Sequence, residues 1–184
     1  MVNKLGDYSG EFKPNLEPGD FARDSLIDLI NLYSRLYMGL DGFWYLSIKE
    51  KASNRDAVAC DILTWQRASK YEMSRITRQF NIQGKDVIAL MKALQLTPWY
   101  WTVRTRIDIE NPNRALLTIV HCPTVDALEK EGEGRENQIC QIVEPEIFNA
   151  YCRYFSPDMK ALCLKAPPRQ SKDDIYCQWE FKLG

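Results

Sequence analysis

The sequence predicts an α+β fold, an N-terminal helical half packed on a C-terminal antiparallel sheet of about four strands with short helices. Three observations carry the prediction. Over residues 20–97 apolar side chains recur at spacings of three and four, the period of a helix with one buried face. From Pro98 onward the spacing becomes two, the period of a strand. The turn cluster Asn111-Pro112-Asn113 then separates two such runs as a hairpin. A chain of 184 residues is long enough for one substantial core and short for two. Residues 20–184 are therefore read as a single α+β domain, with a helical half (20–97) and a sheet half (98–184). An irregular segment, 1–19, precedes it, punctuated by Gly6, Gly10, Pro14, Pro18 and Gly19.

Asp20 reads as the cap of a first helix carrying Leu26, Ile30, Tyr33, Tyr37 and Leu40, with Asp41-Gly42 as its break. A second helix runs from Phe43 to about Ala52. Ser53 or Asn54 caps a third, which extends to about Phe80 with Ala57, Val58, Ile62, Trp65 and Ile76 on its apolar side. Gly84 and Pro98 bracket a fourth with Val87, Leu90, Met91 and Leu94. Tyr100 to Ile109 and Arg114 to Val120 form the hairpin, which ends at Cys122-Pro123. A short helix follows from about Thr124 to Lys130 and stops at Gly132 and Gly134. Pro145 stands in the first turn of a helix reaching Phe155, a place where proline is tolerated. Ala161 to Lys165 and Ile175 to Leu183 complete the sheet, with Pro167-Pro168 ending the former.

Composition excludes several functions. With 24 basic and 25 acidic residues the net charge is −1, which offers no phosphate-binding surface, so nucleic acid is not an expected partner. No apolar stretch approaches the roughly 20 residues of a membrane span, so no membrane partner is expected either. A single His rules out imidazole-rich sites. The polar N-terminus lacks the apolar segment of a signal peptide, which points to a cytoplasmic protein with reduced thiols. Five Trp and nine Tyr exceed what a small core needs, so a homodimer is plausible.

Six cysteines then need a reason other than disulfides. No Cys-x-x-Cys pair occurs, so the local signature of a zinc finger is missing. Cys122 follows the second strand, Cys163 and Cys177 lie in the third and fourth, and Cys140 lies in the connection before a helix. Neighbouring strands bring such positions within about 5 Å, and three thiols with a fourth from an overlying loop could surround a metal. Thiolates favour zinc, copper(I) or an iron–sulfur cluster. Buried cysteines acting as small hydrophobes are the plainer reading. His121 beside Cys122 is a candidate catalytic dyad, although adjacent strand residues point to opposite faces. Asp61, Trp65 and Glu72 share one helix face. With Trp44 and Glu50 they could wall a pocket, or else simply belong to core and solvated edge. Arg135 and Arg153 could hold a substrate carboxylate. Gly132-x-Gly134 is too short for a nucleotide fingerprint.

Several of these pieces occur together in the order Gly42-Phe43-Trp44-Tyr45 through Glu50, Asp61 through Trp65, His121-Cys122-Pro123 and Gly132-Glu133-Gly134. Cys140, Cys163, Pro167-Pro168 and the closing Cys177-Gln178-Trp179-Glu180-Phe181 complete the series. Over about residues 25–183 the chain resembles a family of small cytosolic proteins of anaerobic bacteria and archaea, related to the L-2-amino-thiazoline-4-carboxylic acid hydrolase-like proteins. The resemblance implies an α+β fold of the kind compared with 4-vinyl-reductase small-ligand domains. It also implies that Cys122, Cys140, Cys163 and Cys177 form the site, with Cys60 and Cys152 outside it.

Three functions compete on this reading. The first is a protein of anaerobic metabolism that binds an iron–sulfur cluster or zinc on Cys122, Cys140, Cys163 and Cys177. Trp44, Glu50, Asp61, Trp65 and Arg135 would then line its small-molecule pocket. The second is a hydrolase opening a small carboxylated heterocycle of the cyclic amidine type, through His121 and Cys122 or a metal-bound water. Four cysteines would close a tetrahedral metal and leave no position for that water. The third is a noncatalytic small-ligand binding or partner-docking module.

Overall fold

Ala22 has extended backbone, and the residues after it turn helical without a side-chain cap. The computed structural model describes residues 4–184, so the first three residues of the expected irregular segment lie outside it. Asp20 caps a short 3₁₀ turn instead (Pro18–Asp20), its carboxylate accepting the Glu17 N–H at 2.9 Å. Helix α1 spans Arg23–Lys51 and runs straight through the expected break at Asp41-Gly42. Two reasons account for this. A glycine inside a helix costs only about 1 kcal/mol, and a Cβ at Gly42 would meet nothing within 4 Å. The Asp41 carboxylate is engaged by the Trp65 indole N–H at 3.0 Å, so it does not compete for its own backbone. The two helices expected over 20–52 are one.

Helix α2 (Asn54–Gln79) starts where expected. Ser53 is extended, and its Oγ accepts the Asp56 N–H at 3.1 Å. Helix α3 (Val87–Leu94) is capped by Asp86, which accepts the Ala89 N–H at 2.8 Å. Its first N–H donates to the carbonyl of Pro112 at 2.9 Å, pinning the helix to the hairpin turn. A 3₁₀ turn (Trp99–Thr102) leads into β1 (Arg104–Asn111) and β2 (Arg114–His121). Helix α4 (Pro123–Glu131) ends at Gly132, whose φ of 75° is the left-handed cap that glycine adopts freely. Residues 135–155 then form one helical stretch, built from α5 (Arg135–Gln138), a π turn (Ile139–Val143) and α6 (Glu144–Phe155). Only the part from Pro145 onward is legible from the sequence. Strands β3 (Met159–Lys165) and β4 (Cys177–Leu183) complete the chain.

The four strands form one antiparallel sheet in the order β1-β2-β4-β3, so the architecture is α+β. Ala115 pairs with Phe181, Leu117 with Trp179 and Ile119 with Cys177, and this alternation sets one apolar face against the helices. Phe148 of α6 lies 4.8 Å from the Trp179 ring and 5.5 Å from that of Phe181. Asn149 locks α6 to the sheet edge, its amide oxygen accepting the Ala161 N–H at 3.1 Å. The outer face is polar where it is buried. Arg114 donates to Glu180 at 2.6 Å, and Gln178 donates to Thr118 at 2.9 Å. Helix α1 packs against α2 and the 3₁₀ turn, leaving Tyr33, Leu36, Leu40 and Phe43 exposed along one stripe. No described helix is long and apolar enough to cross a membrane.

Candidate functional site

The inner face of the sheet does not pack against the helices everywhere. Near the start of β4 the surrounding elements leave a cavity of about 110 Å³. An apolar cavity of about 150 Å³ is known to accept benzene, so this one suits a molecule of about four or five heavy atoms. Its walls come from every layer of the fold. Helix α1 contributes Met38 and Asp41, and α2 contributes Asp61 and Trp65, one helical turn apart. The 3₁₀ turn supplies Trp99 and Thr102, and the sheet supplies Ile119, Cys177 and Trp179. The helical stretch 135–155 presents Ile139, Cys140, Val143, Glu144, Ile147 and Phe148. That spacing follows a single helical face through the π turn, a feature often found at functional sites. Cys122, at the N-terminus of α4, closes the ring.

Three carboxyl groups therefore converge from three helices. The Trp65 N–H serves Asp41 directly and also favours the ionised form of Asp61. Burial nevertheless raises all three. Asp41 is pushed up to about 6 by burial against the opposing Trp65 hydrogen bond. Asp61 is pushed up to about 7 by burial and by repulsion from Asp41. Glu144, walled in by protein, rises to about 8 through burial and repulsion from Asp61 and Asp41. None of the three makes an ion pair with a described residue. No Lys, Arg or His lies among the described residues lining the cavity. The indole N–H of Trp179, fully buried in the same wall, has no oxygen or nitrogen acceptor among the described residues and acts only on the Cys177 thiol, a weak acceptor.

The expected site residues divide sharply. Asp61 and Trp65 line the cavity, as do Cys122, Cys140 and Cys177. Cys163 does not. It is exposed on β3, opposite Trp179 and next to an irregularity in the ladder. Among the described residues no three His, Cys, Asp or Glu side chains are placed to share a metal ion. The expected four-cysteine ligand set for zinc or an iron–sulfur cluster does not fit this geometry. Burial raises the Cys122 thiol to about 11 and lifts those of Cys140 and Cys177 further. In the metal-free protein burial therefore keeps these three thiols protonated near neutral pH.

The His121-Cys122 dyad does not form either. His121 Nε2 lies 3.2 Å from Asp126 Oδ2, and its ring meets Tyr176 edge-on. Cys122 faces the cavity on the other side, the divergence that adjacent strand residues impose. Trp44 is half exposed, because α1 does not break and residue 44 falls on its outer side. Glu50 is exposed and meets only Lys51, at 3.5 Å. Arg135 stacks over the Tyr45 ring and donates to Glu131 at 2.6 Å, away from the cavity. Arg153 is exposed. Glu72 accepts the hydroxyl protons of Tyr37 at 2.9 Å and Tyr151 at 2.5 Å, which makes it a clamp between helices. Asp41, Glu144 and Trp99 are the residues that sequence reasoning missed. Asp41 had a usable signal, since Met38, Asp41, Tyr45 and Ile48 follow the inner face of an unbroken α1.

Searches among curated proteins and among solved structures find no match. A family model does match, over residues 19–183, which spans every element described above except the lead-in. The chain thus belongs to DUF6125, a family of unknown function.

Proposed function

We propose that this protein binds a small organic molecule in the cavity between the inner face of the sheet and helices α1, α2 and α6. One observation carries the reading: a small apolar space faced by the buried Trp179 N–H and by the carboxyls of Asp41, Asp61 and Glu144, none of which has a cationic partner among the described residues. Ligand sites combine apolar walls with a few polar groups that fix orientation, and those groups do not stay unpaired in a core without a reason. The metal reading is not carried forward, because only three of the four cysteines line the cavity and no group of described residues is placed to share a metal ion. Hydrolysis of a carboxylated ring lacks support as well, since no basic side chain in the lining would hold the carboxylate.

Acid–base catalysis on the bound molecule is a second reading, favoured by the spread of the carboxyl groups from about 6 at Asp41 to about 8 at Glu144. Neighbouring acids held apart in this way are suited to opposite proton-transfer roles.

The test is a fragment screen of molecules up to about six heavy atoms by two-dimensional NMR. The indole N–H signals of Trp65, Trp99 and Trp179 serve as reporters. Binders should move the Trp65 and Trp179 signals, and Val143→Phe, which fills the cavity, should abolish the effect. If no fragment moves those signals, the binding function fails. Recovery of the ligand unchanged separates binding from catalysis.

A further inference from the structure

We infer that the ligand is a small organic cation bearing a hydrogen-bond acceptor, its protonated nitrogen among the carboxyls of Asp41, Asp61 and Glu144 and its acceptor on the Trp179 indole N–H. This deepens the binding function proposed above and rests on the cavity being a ligand site.

Charge makes the first argument. Three carboxyl groups face one space of about 110 Å³ with no described cation paired to any of them. Each raises the cost of ionising its neighbours. A cation placed between them removes that repulsion, and in a poorly solvated space the attraction far exceeds its value in water. An anionic ligand would face the same acids with no basic group to meet it.

The second argument is independent of charge. Trp179 is fully buried, lines the cavity and finds no oxygen or nitrogen acceptor for its N–H, only the weakly accepting Cys177 thiol. Such a donor is left unpaired only at a cost, and an acceptor atom on the ligand satisfies it. The placement of the acids selects a molecular cation over a metal ion. Among the described residues no three His, Cys, Asp or Glu side chains are placed to share a metal ion, whereas a protonated amine needs only one carboxylate as a hydrogen-bond partner and is attracted by the others through space. The aromatic faces of Trp65 and Trp99 in the same wall also favour an ammonium group.

A matched set of probes tests this. The cation 2-methoxyethylammonium, its neutral isostere methyl propyl ether and the anion methoxyacetate share a methoxy acceptor and differ chiefly in charge. Zinc and calcium ions are titrated in parallel. The ammonium is expected to bind about tenfold or more tightly than the ether, shifting the Trp65 and Trp179 indole signals. Asp61→Asn and Glu144→Gln, each of which removes an ionisable carboxyl without changing shape, are expected to remove most of that preference. Trp179→Phe should weaken the ammonium and the ether alike. Equal binding of ether and ammonium would leave the cavity a ligand site and overturn the cation. Preference for methoxyacetate, or displacement of the ammonium by a metal ion, would overturn it too. Failure of all three organic probes to move the indole signals, together with a blank fragment screen, would instead remove the binding function itself.

Discussion

Replacing Asp61 by Asn should make this protein more stable at pH 8 and leave it unchanged near pH 3.5. The side chain is 6% exposed, and burial followed by repulsion from Asp41 moves its carboxyl from 3.8 to about 7. Below the unfolded-state value of roughly 4 both states hold the proton, and the group costs nothing. As pH rises past that point the unfolded chain releases its proton first, so the folded state binds more protons and stability falls with pH. The fall ends near pH 7, above which both states are ionised and the penalty is constant. Three pH units at about 1.4 kcal/mol each set a ceiling of about 4 kcal/mol. Asparagine has the shape of the protonated acid and cannot ionise, so it escapes the whole penalty. Urea denaturation of both proteins from pH 3.5 to 8.5 reads the difference directly, and the two curves should diverge between pH 4 and 7. A variant no more stable than the parent at pH 8 would mean that the Asp61 carboxylate is hydrated or paired in solution. The account of a poorly solvated acid cluster would then be wrong.

Phe148→Ala should cost about 3–5 kcal/mol, because the ring fills the space between Trp99, Trp179 and Phe181; a loss under 1 kcal/mol in the same urea assay would deny it that role. Ser53→Ala should cost about 1 kcal/mol by freeing the Asp56 N–H, with Ser53→Asp retaining the cap. Alkylation near neutral pH, followed by peptide mapping, should find exposed Cys163 modified well before Cys122 and Cys152, whose thiols burial raises to about 11 and about 12. A fast Cys122 would restore the thiolate chemistry that the geometry argues against.

The parts of the fold legible in the sequence are those set by local chemistry. Ser53 announces the start of α2, Gly84 and Pro98 bracket α3, Asn111-Pro112-Asn113 announces the hairpin, and Gly132 ends α4, each through the local backbone. What the sequence concealed depends on long-range partners. Asp41-Gly42 looks like a helix stop until Trp65, 24 residues on, takes the carboxylate. That same bond turns an apparent breaker into a wall of the site, so one hidden contact accounts for both errors. The cysteine expectation is met in part. Register sets Cys163 opposite Trp179, on the same sheet face as Cys177 and diagonal to it. Being on the edge strand, however, Cys163 is exposed and lies outside the cavity lining. Three thiols still reach the cavity, where they arrive alongside Glu144, an acid that the sequence presents as no more than the favourable charge of a helix N-terminus. A buried acid in that place raises the thiols further. The three thiols at the cavity are thus held protonated chiefly by burial, with Glu144 adding to it.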